Sequence, residues 1–190
     1  MNKVITIFIS ILFFTSCNEK TEIESIHVLY YNYRFLGEVY KDCNKMKKKI
    51  PTMKKEVVYN QNGDSVGVLI DSQGVLDTML TDPIILKKIK FEIKKLEKDT
   101  SINYPVDARI SCVITYKGGQ KERLCIGGQF ATEIYYNGQP QKKNNSLLFL
   151  IKSSIKYYYW MDKRELDVED ELNDKSIKRD IIINKFGEKY

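Results

Sequence analysis

The sequence has a single histidine, His27, among its 190 residues. A Ser–His–Asp or Cys–His nucleophilic site would have to use that residue, because histidine is the usual base in such sites. His27 stands in an apolar, aromatic stretch, and no nucleophile motif occurs in the chain. We therefore interpret His27 as a strand residue that faces solvent or forms a hydrogen bond at a sheet edge.

Motifs that bind nucleotides, phosphates or metals are also missing. The sequence contains no G-x-G-x-x-G, Walker A, G-x-S-x-G or H-E-x-x-H pattern. His27 and three cysteines have zinc-ligand chemistry but lack the close ligand pairs of a zinc site, and the acidic run 165–174 lacks EF-hand spacing. Gly127-Gly128 is more typical of a bulge or sharp bend than of a phosphate cradle. The sequence thus predicts a protein that is not an enzyme, with no catalytic residue, no metal and no cofactor.

No apolar run is long enough for a membrane-spanning helix. Val4–Phe14 is mostly apolar but covers only about eleven residues, against the roughly 20 that a helix needs to cross a bilayer. It follows the basic start Met1-Asn2-Lys3 and precedes small residues, as in a secretory signal. Phe14-Thr15-Ser16-Cys17 resembles the lipobox of bacterial lipoproteins, in which the cysteine takes a diacylglycerol and becomes the first mature residue. The resemblance implies that Cys17 is lipidated; the alternative is an ordinary cleaved signal with a chance cysteine.

The composition is that of a globular protein, with 43% apolar and 29% charged residues. The formal net charge is +6, and basic residues concentrate in 45–55. We interpret this stretch as a solvated face, with attraction to anionic head groups as the alternative. An exported protein rarely meets nucleic acid, so we expect no nucleic-acid partner. The expected division of the chain is signal peptide 1–16, lipidated tether 17–22, a single domain 23–162 and a charged C-terminal segment 163–190 that docks in part or not at all.

The order of predicted elements is β-β-β-α, twice. Asp82 is a good N-cap and Pro83 suits the first helical position, so a helix is predicted from there to about Lys98. Asn144-Asn145-Ser146 offers caps for a second helix, Leu147 to about Trp160. Both helices have one apolar stripe, which predicts an α+β domain in which an antiparallel sheet of about six strands carries two helices on one face. The predicted strands are 26–35, 55–59, 66–70, 107–117, 123–126 and 130–136, with turns at 60–64, 72–74, 118–119 and 137–138.

Three cysteines remain beyond Cys17, which allows one disulfide in an oxidising envelope. A two-residue turn at Gly118-Gly119 would place Cys112 opposite Cys125, at a Cα separation just inside disulfide range. A three-residue loop shifts the register by one and turns Cys125 away from the face of Cys112. The apolar pattern favours this second register, and Cys112–Cys125 remains the candidate disulfide that the first register would allow.

Aromatic residues are dense at two places in the chain, one on the first strand and one at the end of the second helix. Consecutive tyrosines cannot all point inward on either element, so some must be exposed or lie at an edge. Buried rings would fill the core, and exposed rings could anchor a protein partner or stack on sugars. The candidate contact residues are Tyr30, Tyr31, Tyr33, Tyr158 and Trp160.

Three segments are similar to small lipoproteins of Bacteroidetes for which no activity is known: IHVLYYNY, DARISCVITYKGGQKERLCIGG, and YNGQ-P with the leucine-rich helix after it. The resemblance covers roughly residues 20–160. It implies an outer-membrane lipoprotein that faces the periplasm or the cell surface. The expected function is non-catalytic binding of a protein partner, as an inhibitor or immunity factor for example. The alternatives are a glycan- or ligand-binding accessory lipoprotein and an unrecognised envelope enzyme.

Overall fold

A computed structural model of the chain describes residues 22–31, 42–59, 62–128, 130–157 and 161–172. For 49–59, 65–73 and 169–172 it describes the backbone only. Cys17, Tyr33, Tyr158 and Trp160 lie outside the described residues, so the predictions made for them stay predictions. None of the described helices is long and apolar enough to span a bilayer.

Seven strands form one antiparallel sheet in the order β2-β3-β1-β4-β5-β6-β7. The predicted α+β class, with an antiparallel sheet and helices, is confirmed; the sheet has one short strand more than expected, and a third helix follows the second. The strands are β1 Ile23–Tyr31, β2 Lys49–Tyr59, β3 Ser65–Leu80, β4 Ala108–Tyr116, β5 Lys121–Gly127, β6 Glu133–Tyr136 and β7 Gln139–Gln141; the helices are α1 Pro83–Ile93, α2 Asn145–Ser154 and α3 Lys163–Leu172.

The main core lies between one face of the sheet and helices α1 and α2. Alternate residues of β1, β4, β5 and β6 point into it, as the period-2 pattern of strands requires. Leu86 and Ile89 of α1 and Leu147, Leu148 and Ile151 of α2 supply the opposite wall, and all are fully or almost fully buried. Both helices therefore lie on the same face of the sheet, as predicted.

Helix α1 begins where the sequence predicted and ends earlier. The Asp82 carboxylate accepts hydrogen bonds from the backbone N–H groups of Ile84 (2.8 Å) and Ile85 (3.3 Å), and Pro83 occupies the first turn. The regular helix stops at Ile93, because the next residues tighten into i→i−3 hydrogen bonds, such as that from Leu96 N to Ile93 O (3.2 Å). The expected continuation to Lys98 is wrong.

Helix α2 also stops well before Trp160, at Ser154. Its cap is the predicted one: the Asn144 side chain accepts a hydrogen bond from Leu147 N at 2.9 Å. At the other end the hydroxyls of Ser153 and Ser154 donate to the carbonyls of Phe149 and Leu150 at 2.7 and 2.6 Å, which competes with the helical pattern.

The predicted turn at 72–74 is wrong, because β3 continues through it for 16 residues. Its first part pairs with β2 and its last part with β1, so that the partner strand changes near Val75. The hairpin predicted at Asn62-Gly63 is confirmed, since this turn joins β2 to β3. The turn predicted at 137–138 is also confirmed, and it leads into β7, a strand that was not predicted. Both glycines have positive φ. Only glycine adopts that conformation without strain.

A buried carboxylate joins β4, β5 and β6 at one edge of the core. Glu122 accepts a hydrogen bond from the Tyr116 hydroxyl at 2.6 Å and a second from the Tyr136 hydroxyl. Tyr116 is only 1% exposed. Burial and the hydrogen bond to Glu122 raise the pKa of Tyr116 to about 12, so its folded form keeps the phenolic proton when an unfolded tyrosine has lost it.

We expect Tyr116→Phe to show a pH-dependent stability defect. At pH 8 the variant should lose about 2 kcal/mol, because a hydrogen bond to a charged acceptor is gone. From pH 10 to about 12 the wild type loses roughly 1.4 kcal/mol per pH unit through this residue, because the pKa raised on folding makes ionisation favour the unfolded chain. The defect should therefore shrink above pH 10, as denaturant titrations at each pH would measure. A defect that stays constant from pH 8 to 12 would contradict this account.

Candidate functional site

The sheet face opposite α1 and α2 is crossed by a short segment, Asp42–Lys48, which we call the strap. A single 3-10 turn, Cys43–Lys45, forms its first part, and Asp42 caps this turn by accepting a hydrogen bond from Asn44 N at 2.8 Å. The strap then runs into β2 at the sheet edge. The strap thus forms a second, smaller layer on a sheet face that would otherwise be exposed to solvent.

The strap is fixed by a disulfide between Cys43 and Cys125 of β5, whose Cα atoms are 6.1 Å apart. The candidate disulfide Cys112–Cys125 is therefore wrong. The β4–β5 register pairs Cys112 with Leu124 across a three-residue loop, and Gly119 has φ +84°. The favoured register is thus confirmed, and it directs Cys125 to the strap while Cys112 is buried as a free thiol in the main core.

Polar contacts at Cys43 and apolar contacts at Met46 hold the strap against the sheet. The Cys43 carbonyl accepts hydrogen bonds from the Ser111 hydroxyl (3.2 Å) and the Arg123 guanidinium (3.4 Å), and Arg123 also donates to the Ser111 oxygen (3.0 Å). Further along, Met46 is buried against the rings and methyls of Tyr31 and Val75. The strap is therefore an ordered wall rather than a loose loop.

A cleft of about 220 Å³ lies between the strap and the β5–β6–β7 end of the sheet. The disulfide forms part of its wall, and Arg123 brings a positive charge to it. Tyr104 is 52% exposed and flanks the cleft with the buried Tyr135.

Glu133 positions both tyrosines of the cleft. Its two carboxylate oxygens accept hydrogen bonds from the hydroxyls of Tyr104 (3.1 Å) and Tyr135 (3.2 Å). This contact raises the pKa of Tyr104, and burial with the Glu133 charge raises the pKa of Tyr135. Both rings therefore stay neutral over the physiological range and present apolar faces with fixed hydroxyls.

The Gly127-Gly128 pair makes room for this arrangement. A Cβ at Gly127 would lie 2.7 Å from a Val106 methyl and 2.9 Å from the Asp107 carbonyl oxygen. At Gly128, where φ is +79°, a Cβ would lie 2.7 Å from a carboxylate oxygen of Glu133. The pair thus ends β5 in a turn, as predicted, and the missing side chain at Gly128 leaves room for the Glu133 carboxylate.

The predicted aromatic contact surface is only partly described. Tyr30 is half-buried and meets the buried Tyr157 edge to face, with ring centroids 6.0 Å apart. Tyr31 is 5% exposed and covered by Met46 of the strap, so the expectation that it offers a contact surface is wrong. Beside the cleft the exposed aromatic is Tyr104, which sequence reasoning missed because it lies in a stretch without strand or helix periodicity.

His27 lies on the strap face of β1, which is flanked by β3 and β4. Its Nε2 is 3.6 Å from the Asp77 carboxylate, which in turn pairs with Lys48 at 2.7 Å. Lys48 lowers the pKa of Asp77 through a hydrogen bond, and His27 adds a smaller effect in the same direction. Among the residues described, no three His, Cys, Asp or Glu side chains are grouped to hold a metal ion.

In comparisons with known proteins, no family model, curated protein or solved structure matches the chain.

Proposed function

We propose that the protein is a non-catalytic lipoprotein of the cell envelope that binds a protein partner through the cleft beside the strap. The observation that carries the proposal is the cleft itself, a small enclosed volume with an exposed tyrosine and an arginine at its walls. Tyrosine and arginine are enriched among residues that dominate protein–protein binding energy, and such residues cluster around pockets that receive an anchor side chain.

The volume of the cleft favours a protein over a small molecule. Sites that enclose small-molecule ligands measure roughly 300 to 1,000 Å³, and this cleft has about 220 Å³. That space suits one large side chain inserted from a partner. The disulfide and the Glu133 contacts hold the walls of the cleft in place before binding. This lowers the conformational-entropy cost of binding.

The lipid anchor belongs to the same proposal. Phe14-Thr15-Ser16-Cys17 supports acylation at Cys17, and export would supply the oxidising conditions in which Cys43–Cys125 forms. The chain would then act as a fixed receptor or inhibitor on the outer membrane, with no cofactor and no nucleic-acid partner.

Tyr104 also supports a second candidate, a glycan- or ligand-binding accessory lipoprotein. Tyr104 is 52% exposed beside the cleft, and an exposed aromatic face can stack on a sugar. A glycan would have to lie across the cleft rather than inside it.

A photoreactive phenylalanine analogue at position 104 should crosslink one defined protein in living cells, and the same analogue at position 91 should not. Phe91 is a matched control because it is also an exposed aromatic, but on α1 at the other face of the sheet. Tyr104→Ala should weaken capture of that protein at least tenfold, since an anchoring residue contributes on the order of 2 kcal/mol. Phe91→Ala should leave capture unchanged.

Two results would count against the protein-partner proposal. Capture that survives Tyr104→Ala but is lost with Phe91→Ala would move the interface to the helix side. Binding of envelope polysaccharide that depends on Tyr104, without any protein adduct, would establish the glycan candidate instead.

A further inference from the structure

The outer side of α1 combines exposed apolar residues with a dense set of lysines. Ile84 and Phe91 are 66% and 60% exposed, whereas Leu86 and Ile89 on the inner side pack into the core. Positions 84, 87, 88 and 91 follow helical spacing along α1, and positions 94 and 95 continue this side in the turn that ends the helix. We call this stripe the α1 ridge; its members are Ile84, Lys87, Lys88, Phe91, Lys94 and Lys95.

Grooves run along both sides of the α1 ridge and show that it stands out from the surface. One groove, of about 570 Å³, lies between α1 and the start of β1. The other, of about 780 Å³, separates α1 from α2. Phe91 lines both grooves, and the Lys95 ammonium lies 4.1 Å from the centroid of its ring. A flat, extended partner could therefore contact the ridge without entering the core.

Glu22, the first described residue, lies beside the α1 ridge. Glu22 pairs with Lys117 at 2.6 Å, and both line the groove that α1 forms with β1. The pKa of Glu22 is lowered chiefly by its hydrogen bond with Lys117, with smaller contributions from Lys90 and Lys87 of α1. Glu22 is five residues after Cys17, a distance of at most about 18 Å even for an extended chain.

We propose that the α1 ridge rests on the anionic surface of the membrane that holds the lipid anchor. The proposal rests on the proposed acylation of Cys17, which would keep α1 within reach of the head groups. Lysines of the ridge attract anionic lipid, and Ile84 and Phe91 enter the boundary between head groups and acyl chains, as the apolar residues of interfacial helices do. The strap and its cleft lie on the other face of the sheet and are then presented away from the membrane.

The test uses the full mature chain from residue 17 with Cys17→Ser, so that no acyl group contributes to binding. Co-sedimentation compares vesicles of phosphatidylcholine with vesicles that contain 30% phosphatidylglycerol. We expect at least tenfold tighter binding to the anionic vesicles at 50 mM salt and loss of this preference at 500 mM, where charges are screened. Phe91→Ala should weaken the binding at both salt concentrations.

Charge-reversal variants distinguish vesicle binding through the α1 ridge from general electrostatic attraction to the protein. Lys87→Glu/Lys94→Glu should weaken binding to anionic vesicles at least tenfold. Lys45→Glu/Lys47→Glu changes the net charge equally, on exposed strap residues, and should change binding less than twofold. Circular dichroism should show both double variants folded, because all four lysines are exposed.

Three outcomes would overturn the proposal: no preference of the wild type for anionic vesicles, equal loss in both double variants, or a ridge variant that keeps vesicle binding and loses the protein adduct. Mass spectrometry of the membrane-extracted wild-type chain tests acylation separately. The crosslink at position 104 tests the partner, so failure of the ridge and failure of the proposed function give different results.

Discussion

Replacing Cys43 and Cys125 with alanine is expected to lower the free energy of unfolding by about 4.5 kcal/mol. The disulfide closes a loop of 82 residues, and the chain-entropy model gives about that value for a loop of this length. For a domain of this size we expect the melting temperature to fall by on the order of 10 °C. Thermal and denaturant unfolding of the wild type and the double variant would measure both quantities.

Reduction provides the matched control. Dithiothreitol should destabilise the wild type by a similar amount and leave the double variant unchanged. In the denatured, unreduced mature protein with Cys17 acylated, one thiol, that of Cys112, should react, and reduction should raise the count to three. Three reactive thiols before reduction would contradict the pairing.

Loss of the disulfide should also affect the candidate site. Cys43 and Cys125 form part of the cleft wall, and the Cys43 carbonyl accepts the hydrogen bonds of Ser111 and Arg123. Without the crosslink the strap can leave the sheet, so partner capture that depends on Tyr104 should fall in the double variant even at temperatures where the domain is folded.

The second large effect concerns a fully buried ion pair between α2 and α3. Lys152 Nζ lies 2.8 Å from the nearer oxygen of Glu165, and both side chains are 0% exposed. Burial lowers the pKa of Lys152 and raises the pKa of Glu165, so desolvation opposes the charge on both partners. Their mutual attraction offsets this cost only in part.

Glu165→Ala should therefore destabilise the protein by about 3–5 kcal/mol, because it leaves the Lys152 ammonium buried without its carboxylate. Replacing both partners, as in Lys152→Met/Glu165→Leu, should be close to neutral or stabilising by about 1–4 kcal/mol. Denaturant unfolding of both variants would measure the contrast.

The exposed pair Lys142–Glu97 serves as a control, since its nitrogen–oxygen distance of 2.7 Å is similar but the side chains are 65% and 68% exposed. Lys142→Met should therefore change stability far less than Glu165→Ala does, because water screens an exposed ion pair. A double Lys152/Glu165 variant as unstable as Glu165→Ala would show that the two residues stabilise the fold by more than mutual neutralisation.

The sequence predicted the parts of the fold that depend on local rules. Asp82-Pro83 marks a helix start through its own hydrogen-bond chemistry, and Asn62-Gly63 marks a hairpin through its backbone preferences. The apolar alternation around Cys112 decided the β4–β5 register, because a one-residue slip would have turned every core residue outward.

Contacts between distant segments were not accessible in the same way. Cys43 lies in a lysine-rich link with no periodicity, and nothing local indicates that this link folds back over β4 and β5 to reach Cys125. Lys152 interrupts an apolar helix as a solvent-facing lysine would, and its partner Glu165 belongs to a segment whose charge suggested exposure. Both contacts are decided by long-range packing, which local patterns do not encode.

The burial of Cys112 has a consequence for how this protein must be oxidised. In an unfolded chain the shorter loop closes more readily, so Cys125 would meet Cys112 before it met Cys43, which is 82 residues away. Burial raises the pKa of the folded Cys112 to about 12, and without a thiolate it can neither attack nor exchange. Early formation of the β4–β5 hairpin would prevent this pairing, because it turns the two thiols to opposite faces of the sheet, and the finished protein is then protected against reshuffling by its own core.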